Sequence, residues 1–151
     1  MSTTEPNGLV PFHLAIPVDD IEAARAFYGT VLGFSEGRSD TKWIDWNFRG
    51  HQVVTHQVGD GPSGAPRDGV AGTNPVDGHQ VPVPHFGLVL PVEEFKALAE
   101  RLTAIGTEFV IEPYVRFEGE PGEQWTMFFL DPAGNAMEFK AFADLGQLFA
   151  V

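Results

Sequence analysis

The 151-residue chain contains no cysteine. Disulfides, thiolate nucleophiles and cysteine-based metal sites are therefore excluded. Any bound metal must be held by His, Asp or Glu, which points away from zinc knuckles and iron–sulfur clusters. Positive charge is also scarce. Nine Lys and Arg stand against 21 Asp and Glu, giving a formal net charge of −12. Such a surface repels phosphate, so neither nucleic acid nor an anionic membrane is an expected partner. The acidity mainly serves solubility. No apolar run approaches the roughly 20 residues that cross a bilayer. The opening stretch, MSTTEPNGLVPFH, has no basic n-region and no apolar h-region. A soluble cytoplasmic protein is the expectation.

Large apolar side chains are plentiful, with 13 Phe and three Trp. The length suits one domain with a sizeable core over residues 1–151. Within it, one pattern occurs twice. His13-Leu-Ala-Ile-Pro-Val-Asp-Asp-Ile21 resembles His85-Phe-Gly-Leu-Val-Leu-Pro-Val-Glu-Glu-Phe95. Each begins with His, passes through a short apolar strand and reaches Pro-Val-acid-acid-apolar. The offset is 72 residues at the His and 74 at the Pro.

A helix is predicted after each strand. The first spans about Asp19 to Leu32, with Asp19 as N-cap and Gly33 as terminator. Ile21, Ala24, Phe27, Tyr28, Val31 and Leu32 share one face. The second spans about Val92 to Ile105, with Phe95, Leu98, Ala99, Leu102 and Ile105 as its stripe and Gly106 at its end. Short strands follow, near 34–39, 42–48 and 51–58, then near 108–117, 123–130 and 135–141. Each half is thus β-α-β-β-β, an α+β arrangement that suggests duplication. Chance is the alternative, and the ordered recurrence of His, Pro-Val-acid-acid and Gly counts against it. The modules span 11–58 and 85–141, with a tail at 142–151. Residues 59–84 connect them and hold six Gly and five Pro. That composition suits a linker or a loop over a site, not a helix or central strand. His79 lies within it, as a solvated or a functional residue.

Side chains alternate across a strand. Phe12, Leu14 and Ile16 share one face, and His13 and Ala15 the other. Phe86, Leu88 and Leu90 share one face, and His85, Gly87 and Val89 the other. The bulky faces are predicted to pack under the helices. Each His points away from them, beside a small residue that leaves room. In the last strand, Met137 and Phe139 face the core and Glu138 points opposite. On a curved sheet, His13, His85 and Glu138 form a facial set of two imidazoles and one carboxylate. That set suits one divalent ion (Fe, Mn, Zn, Ni or Co) and leaves positions open for water and substrate.

These residues resemble the vicinal oxygen chelate superfamily, which includes glyoxalase I, extradiol dioxygenases, fosfomycin-resistance transferases, methylmalonyl-CoA epimerase and bleomycin-binding proteins. The matching pieces are His13, Pro17-Val-Asp-Asp-Ile-Glu-Ala-Ala-Arg-Ala-Phe-Tyr28, Leu32-Gly33-Phe34, His85-Phe86-Gly87, and Phe129-Leu-Asp-Pro-Ala-Gly-Asn-Ala-Met-Glu138-Phe139. The resemblance covers about residues 11–141. It implies two βαβββ modules forming a cupped mixed sheet around a metal, the glyoxalase/bleomycin resistance/dioxygenase fold. A further ligand position falls on Val54, which aligns with Glu138 when Gly50 is matched to Gly134. Valine cannot bind metal, so a three-ligand centre is favoured over the four-ligand glyoxalase type. His56 lies two residues on, as a fourth ligand after a register shift, an acid/base group, or a structural residue. Thr126 and Phe128 are assigned to the substrate side. Arg116 either binds a substrate carboxylate or sits in an ion pair.

The resemblance implies a metal-dependent enzyme acting on a small oxygen-bearing substrate, dioxygenase-like in its ligand set. A glyoxalase-like isomerase or lyase is the alternative. A metal-free drug-binding protein is a third reading, against which the intact His13, His85 and Glu138 argue. A homodimer is expected, as for related chains of this size.

Overall fold

Strand β1, His13–Val18, opens the first of two compact units, Met1–Arg67 and Asp68–Val151. A computed structural model describes residues 8–59 and 72–151. In the first unit, helix α1, Ile21–Ala24, continues as a π-helix over Arg25–Val31. Strands β2 (Ser35–Asp40), β3 (Trp43–Phe48) and β4 (His51–Gln57) follow. The sheet order is β1-β4-β3-β2, with β1 parallel to β4 and the other pairs antiparallel.

The helix N-cap is Asp20, not Asp19 as predicted. Its carboxylate accepts from the backbone N–H groups of Glu22 and Ala23, at 3.0 and 3.3 Å. The predicted regular helix also widens after Ala24, so that Leu32 N–H bonds the Phe27 carbonyl five residues back. The widened turn carries fully buried Tyr28, whose ring centroid lies 5.9 Å from that of Trp46 and 6.0 Å from that of Phe48. The predicted inward face of β1 holds for Ile16 but not for Phe12, which precedes the strand and is 64% exposed.

The second unit repeats this plan with an addition. Strands β5 (Gly72–Val76) and β6 (His79–Val83) form an antiparallel hairpin. Then come β7 (Val89–Leu90), α2 (Val92–Ala104), β8 (Ile111–Arg116), β9 (Gln124–Leu130) and β10 (Ala136–Phe142), closed by a 3-10 turn at Leu145–Gln147. The order β7-β10-β9-β8 reproduces that of the first unit, again with the first strand parallel to the last. Both units are therefore βαβββ modules with mixed four-stranded sheets, as the sequence predicts. The described part of the 59–84 connection is the hairpin, and it belongs to the second unit.

Helix α2 buries Phe95, Leu98 and Leu102 as its stripe predicts, each contributing about 1.5–3 kcal/mol. Ile105 falls outside the helix and is 58% exposed, which corrects its place in that stripe. Met127, Phe129, Met137, Phe139 and Ala141 form the buried side of β9 and β10 that shares this core.

The turns before the last strands differ. In the first unit Arg49 and Gly50, both at positive φ (53° and 96°), make a two-residue hairpin turn. In the second, Asp131 organises Asp-Pro-Ala-Gly-Asn. Its carboxylate accepts from Ala133 N–H, Asn135 N–H and the Asn135 side-chain amide, at 2.9, 2.8 and 2.9 Å. That buried turn fixes where β10, and hence Glu138, begins.

Candidate metal centre

Residues 85–90 run parallel to β10, anchored by Glu138 N–H to the Phe86 carbonyl at 2.9 Å and Lys140 N–H to the Leu88 carbonyl at 3.0 Å. Phe86 pairs with Met137, so His85 stands opposite Ala136 and Gly87 opposite Glu138. The approach at Gly87 is close. A Cβ there would lie 1.7 Å from the Glu138 carbonyl oxygen, so only glycine fits without moving a strand. The first unit pairs His13 with Gln52 and Ala15 with Val54. The two registers superimpose His13 on His85, Gln52 on Ala136, and Val54 on Glu138. This is the correspondence the sequence predicts, with a buried valine where the second unit has a carboxylate.

The His85 ring is held on three sides. Its Nδ1 donates to the Pro82 carbonyl at 2.7 Å. The Phe128 ring stands edge-on to it, with centroids 5.1 Å apart and planes at 80°. Its Nε2 faces Glu138 Oε1 at 3.2 Å, with 29% of the His85 side chain and 14% of the Glu138 side chain exposed. A carbonyl oxygen only accepts, so the proton of the neutral ring sits on Nδ1 and Nε2 presents a lone pair. Glu138 Oε1 presents another. Two acceptors so placed are satisfied by a proton on Nε2, which makes the pair a salt bridge, or by a cation that both groups hold. The other carboxylate oxygen, Oε2, accepts the hydroxyl proton of buried Thr126. An imidazole with Nδ1–H tied to a carbonyl, next to a hydrogen-bonded carboxylate, is the donor arrangement that divalent transition metals use. The pair fits such an ion.

His13 shows the same preparation. Its Nδ1 donates to Gln52 Oε1 at 2.7 Å, leaving Nε2 as the free lone pair of an exposed ring. His13 belongs to the first unit, and His85 and Glu138 to the second. Among the described residues, no three His, Cys, Asp or Glu side chains gather as a ready metal cluster. His56 is exposed on β4, on the face of Val54 and Gln52.

The other predicted residues share the Glu138 face. Cross-strand pairing sets Phe128 beside Glu138, Tyr114 beside Thr126, and Arg116 beside Gln124. Thr126 and Phe128 touch the pair directly. Arg116 is ion-paired with Asp77 from the β5–β6 turn, and its guanidinium carbon lies 5.0 Å from the Phe117 ring centroid. The residues that sequence reasoning missed are on that hairpin. They are Pro82, whose carbonyl holds His85, and Asp77, which holds Arg116. His79 packs its ring on Tyr114, with centroids 4.8 Å apart. The available signal was Asp77-Gly78, the dipeptide of a tight hairpin turn.

The chain belongs to the Glyoxalase/Bleomycin resistance protein/Dioxygenase superfamily, whose family model matches residues 11–139. It is similar to a glyoxalase/bleomycin resistance protein/dioxygenase from Alicyclobacillus acidocaldarius, with 28% identity, a TM-score of 0.70, and 97% of this chain and 100% of that one covered. A fosfomycin resistance protein, FosX, from Listeria monocytogenes shares the fold at 21% identity and a TM-score of 0.60, over 93% of this chain and 96% of that one. So does a lactoylglutathione lyase from Agrobacterium tumefaciens, at 19% identity and a TM-score of 0.60, over 98% and 100%. No curated protein sequence matches the chain significantly. Members of the superfamily commonly use a divalent metal. No described helix is long and apolar enough to cross a membrane.

Proposed function

We propose that the protein is a metal-dependent vicinal oxygen chelate enzyme, dioxygenase-like in its ligand set, acting on a small oxygen-bearing molecule. His85 and Glu138 hold one divalent ion (Fe, Mn, Zn, Ni or Co), with His13 as the third ligand. The observation that carries this reading is the Nε2 lone pair of His85 facing Glu138 Oε1 at 3.2 Å while Nδ1 is tied to Pro82. When bound, the ion supplies Lewis acidity toward two neighbouring substrate oxygens.

The chain's own residues prepare that chemistry. Thr126 fixes one carboxylate oxygen of Glu138 and leaves the other to the ion. Phe128, the other residue proposed for the substrate side, is buried against Val81 and Ile111 and walls the His85 ring edge-on. His56 is the proposed acid/base group. Arg116 takes a substrate carboxylate only by displacing Asp77, its present partner. Valine at position 54 supports three protein ligands rather than four. The working form is proposed to be a cytoplasmic homodimer.

Metal analysis of the purified protein tests this reading. Near-stoichiometric iron with O₂ uptake on catechols supports the dioxygenase-like form. Nickel or zinc without O₂ uptake moves the assignment to a glyoxalase-like isomerase or lyase. Glu138→Gln should weaken metal binding by at least about 100-fold, the upper range seen when a metal's supporting groups are lost. Undiminished metal content in that variant overturns the ligand set, whereas purified wild-type protein that carries and takes up no metal leaves a metal-free small-molecule binder.

A further inference from the structure

We infer that the β5–β6 hairpin is a strap that positions the metal ligand His85, and that Asp77 and Arg116 are its clasp. The inference rests on the metal reading of His85 and Glu138. The hairpin joins the β8–β9–β10 sheet at three places and His85 at a fourth. Asp77, in its turn, pairs with Arg116 on β8, whose Nε is shut off from solvent; the contact is an ion pair, not an aligned hydrogen bond. His79 packs on Tyr114 with ring centroids 4.8 Å apart. Val81 is buried with Ile111 and Phe128, and Val76 and Tyr114 pack against that cluster. Pro82 ends the run with its carbonyl on His85 Nδ1.

The line of force is short. The clasp and Val81 seat β6 on the sheet. Pro82 follows Val81 directly, so the seating of Val81 sets where its carbonyl points. That carbonyl selects the Nδ1–H form of His85 and so turns the Nε2 lone pair toward Glu138. Phe128 lies in both contacts, packed by Val81 on one side and edge-on to His85 on the other. A hairpin lifted from β8 therefore takes away the carbonyl and, with it, the Val81 packing that backs Phe128 against the ring. The ring of His85 then takes either tautomer, and the Nε2–H form has no lone pair at Nε2 to share an ion with Glu138. Asp77 and Arg116 are positioning residues, because neither touches the ion.

The test uses the full chain and three readouts. Nitrogen NMR of the metal-free protein reports which ring nitrogen of His85 carries the proton. Amide hydrogen exchange reports whether residues 72–83 stay seated. Titration with Co²⁺ alone reports affinity. Asp77→Asn and Arg116→Gln should each shift His85 to mixed tautomers, speed exchange in the hairpin, and weaken Co²⁺ binding by about 10-fold, the lower range for groups that orient a metal ligand. The double variant should be no worse than either single one. Exchanging the charges, Asp77→Arg with Arg116→Asp, should restore all three. Val81→Ala, which leaves every charge in place, should reproduce the tautomer change and guards against a variant that fails to fold. A hairpin that loosens while His85 keeps its Nδ1 proton and Co²⁺ affinity overturns the inference. So does a hairpin whose exchange is unchanged when the clasp is removed. If wild-type protein binds no Co²⁺, the metal reading falls by itself, and the tautomer and exchange measurements still decide whether the strap positions His85.

Discussion

In the first unit the imidazole of His13 is steadied by a side chain of the adjacent strand, Gln52 on β4. In the second, the corresponding imidazole of His85 is steadied by a backbone carbonyl from a separate hairpin. The position that holds Gln52 in one unit holds Ala136 in the other, so β10 offers His85 Nδ1 no side-chain acceptor there and the hairpin provides a carbonyl instead. The same strand carries valine at 54 and glutamate at 138. Two modules of one topology thus arrive at the same use of the His ring by different local means, with Nδ1 donating in both and Nε2 facing Glu138 in His85. The agreement in the outcome, with disagreement in the parts, is what a requirement on the ring itself looks like. The difference also says where the chemistry is concentrated. The second unit has the carboxylate, the hydroxyl that orients it and the covering hairpin.

Gly87 and Ala15 are the sharpest way to break this comparison, because they are equivalent positions with opposite tolerance. A Cβ at Gly87 meets the Glu138 carbonyl oxygen at 1.7 Å and Phe139 at 2.9 Å. The strand must then move off β10, and overpacking of this kind costs about 3 kcal/mol. Gly87→Ala should lower the melting temperature by roughly 10 °C, taking about 2–4 °C per kcal/mol for a chain of this size. Ala15→Gly in the first unit should cost only about 0.5–1 kcal/mol, through added flexibility. Equal losses in thermal melts would show that the two first strands are not equivalent after all.

The turns before the last strands give the next largest contrast. Asp131→Ala strips the acceptor from Ala133 N–H, Asn135 N–H and the Asn135 amide, all within a buried turn. Unpaired buried donors cost about 1–3 kcal/mol each and do not add fully, so a loss of about 2 kcal/mol is expected in urea denaturation. Asn47, which accepts only Gly50 N–H in the exposed turn of the first unit, should cost at most about 1 kcal/mol as Asn47→Ala. A larger effect at Asn47 than at Asp131 would reverse the view that the second unit carries the more demanding turn.

Much of this was legible in the residues. The period-two alternation of His13 and His85 and the helical stripe of Phe95, Leu98 and Leu102 are local patterns with direct structural readings. The match of Val54 to Glu138 follows from counting back to Gly50 and Gly134. What escaped was either competition or distance. Asp19 and Asp20 are equally good caps, and only the path of the backbone out of β1 decides between them. The widened turn of the first helix packs Tyr28 against Trp46 and Phe48 across the core, partners that no helical window contains. The hairpin was hidden because Pro75 and Pro82 argue against strands. A two-stranded ribbon has two open edges, so prolines there forfeit no ladder bond. The role of Pro82 was out of reach for a further reason: the working atom is its backbone carbonyl, which no side-chain pattern reports.

Tyr114 gives the smallest effect and tests the hairpin's half of the comparison from outside the metal ligands. Partial burial raises its phenol above the ordinary tyrosine range, and the nearby carboxylates of Asp77 and Glu138 push the same way, against Arg116. A raised phenol pKa means that the fold favours the neutral form. The contribution is fully present below the unfolded tyrosine pKa and is lost as pH climbs through the raised value. Alkaline titration read by phenolate absorbance, with Tyr114→Phe as the blank, isolates this group from Tyr28. In Asp77→Asn the hairpin's cover and one carboxylate go together, and both changes lower the pKa. The Tyr114 midpoint should therefore fall toward the ordinary range. A midpoint that stays where it is would mean that β8 is screened by its own sheet, and that the second unit's face is as open as the first's.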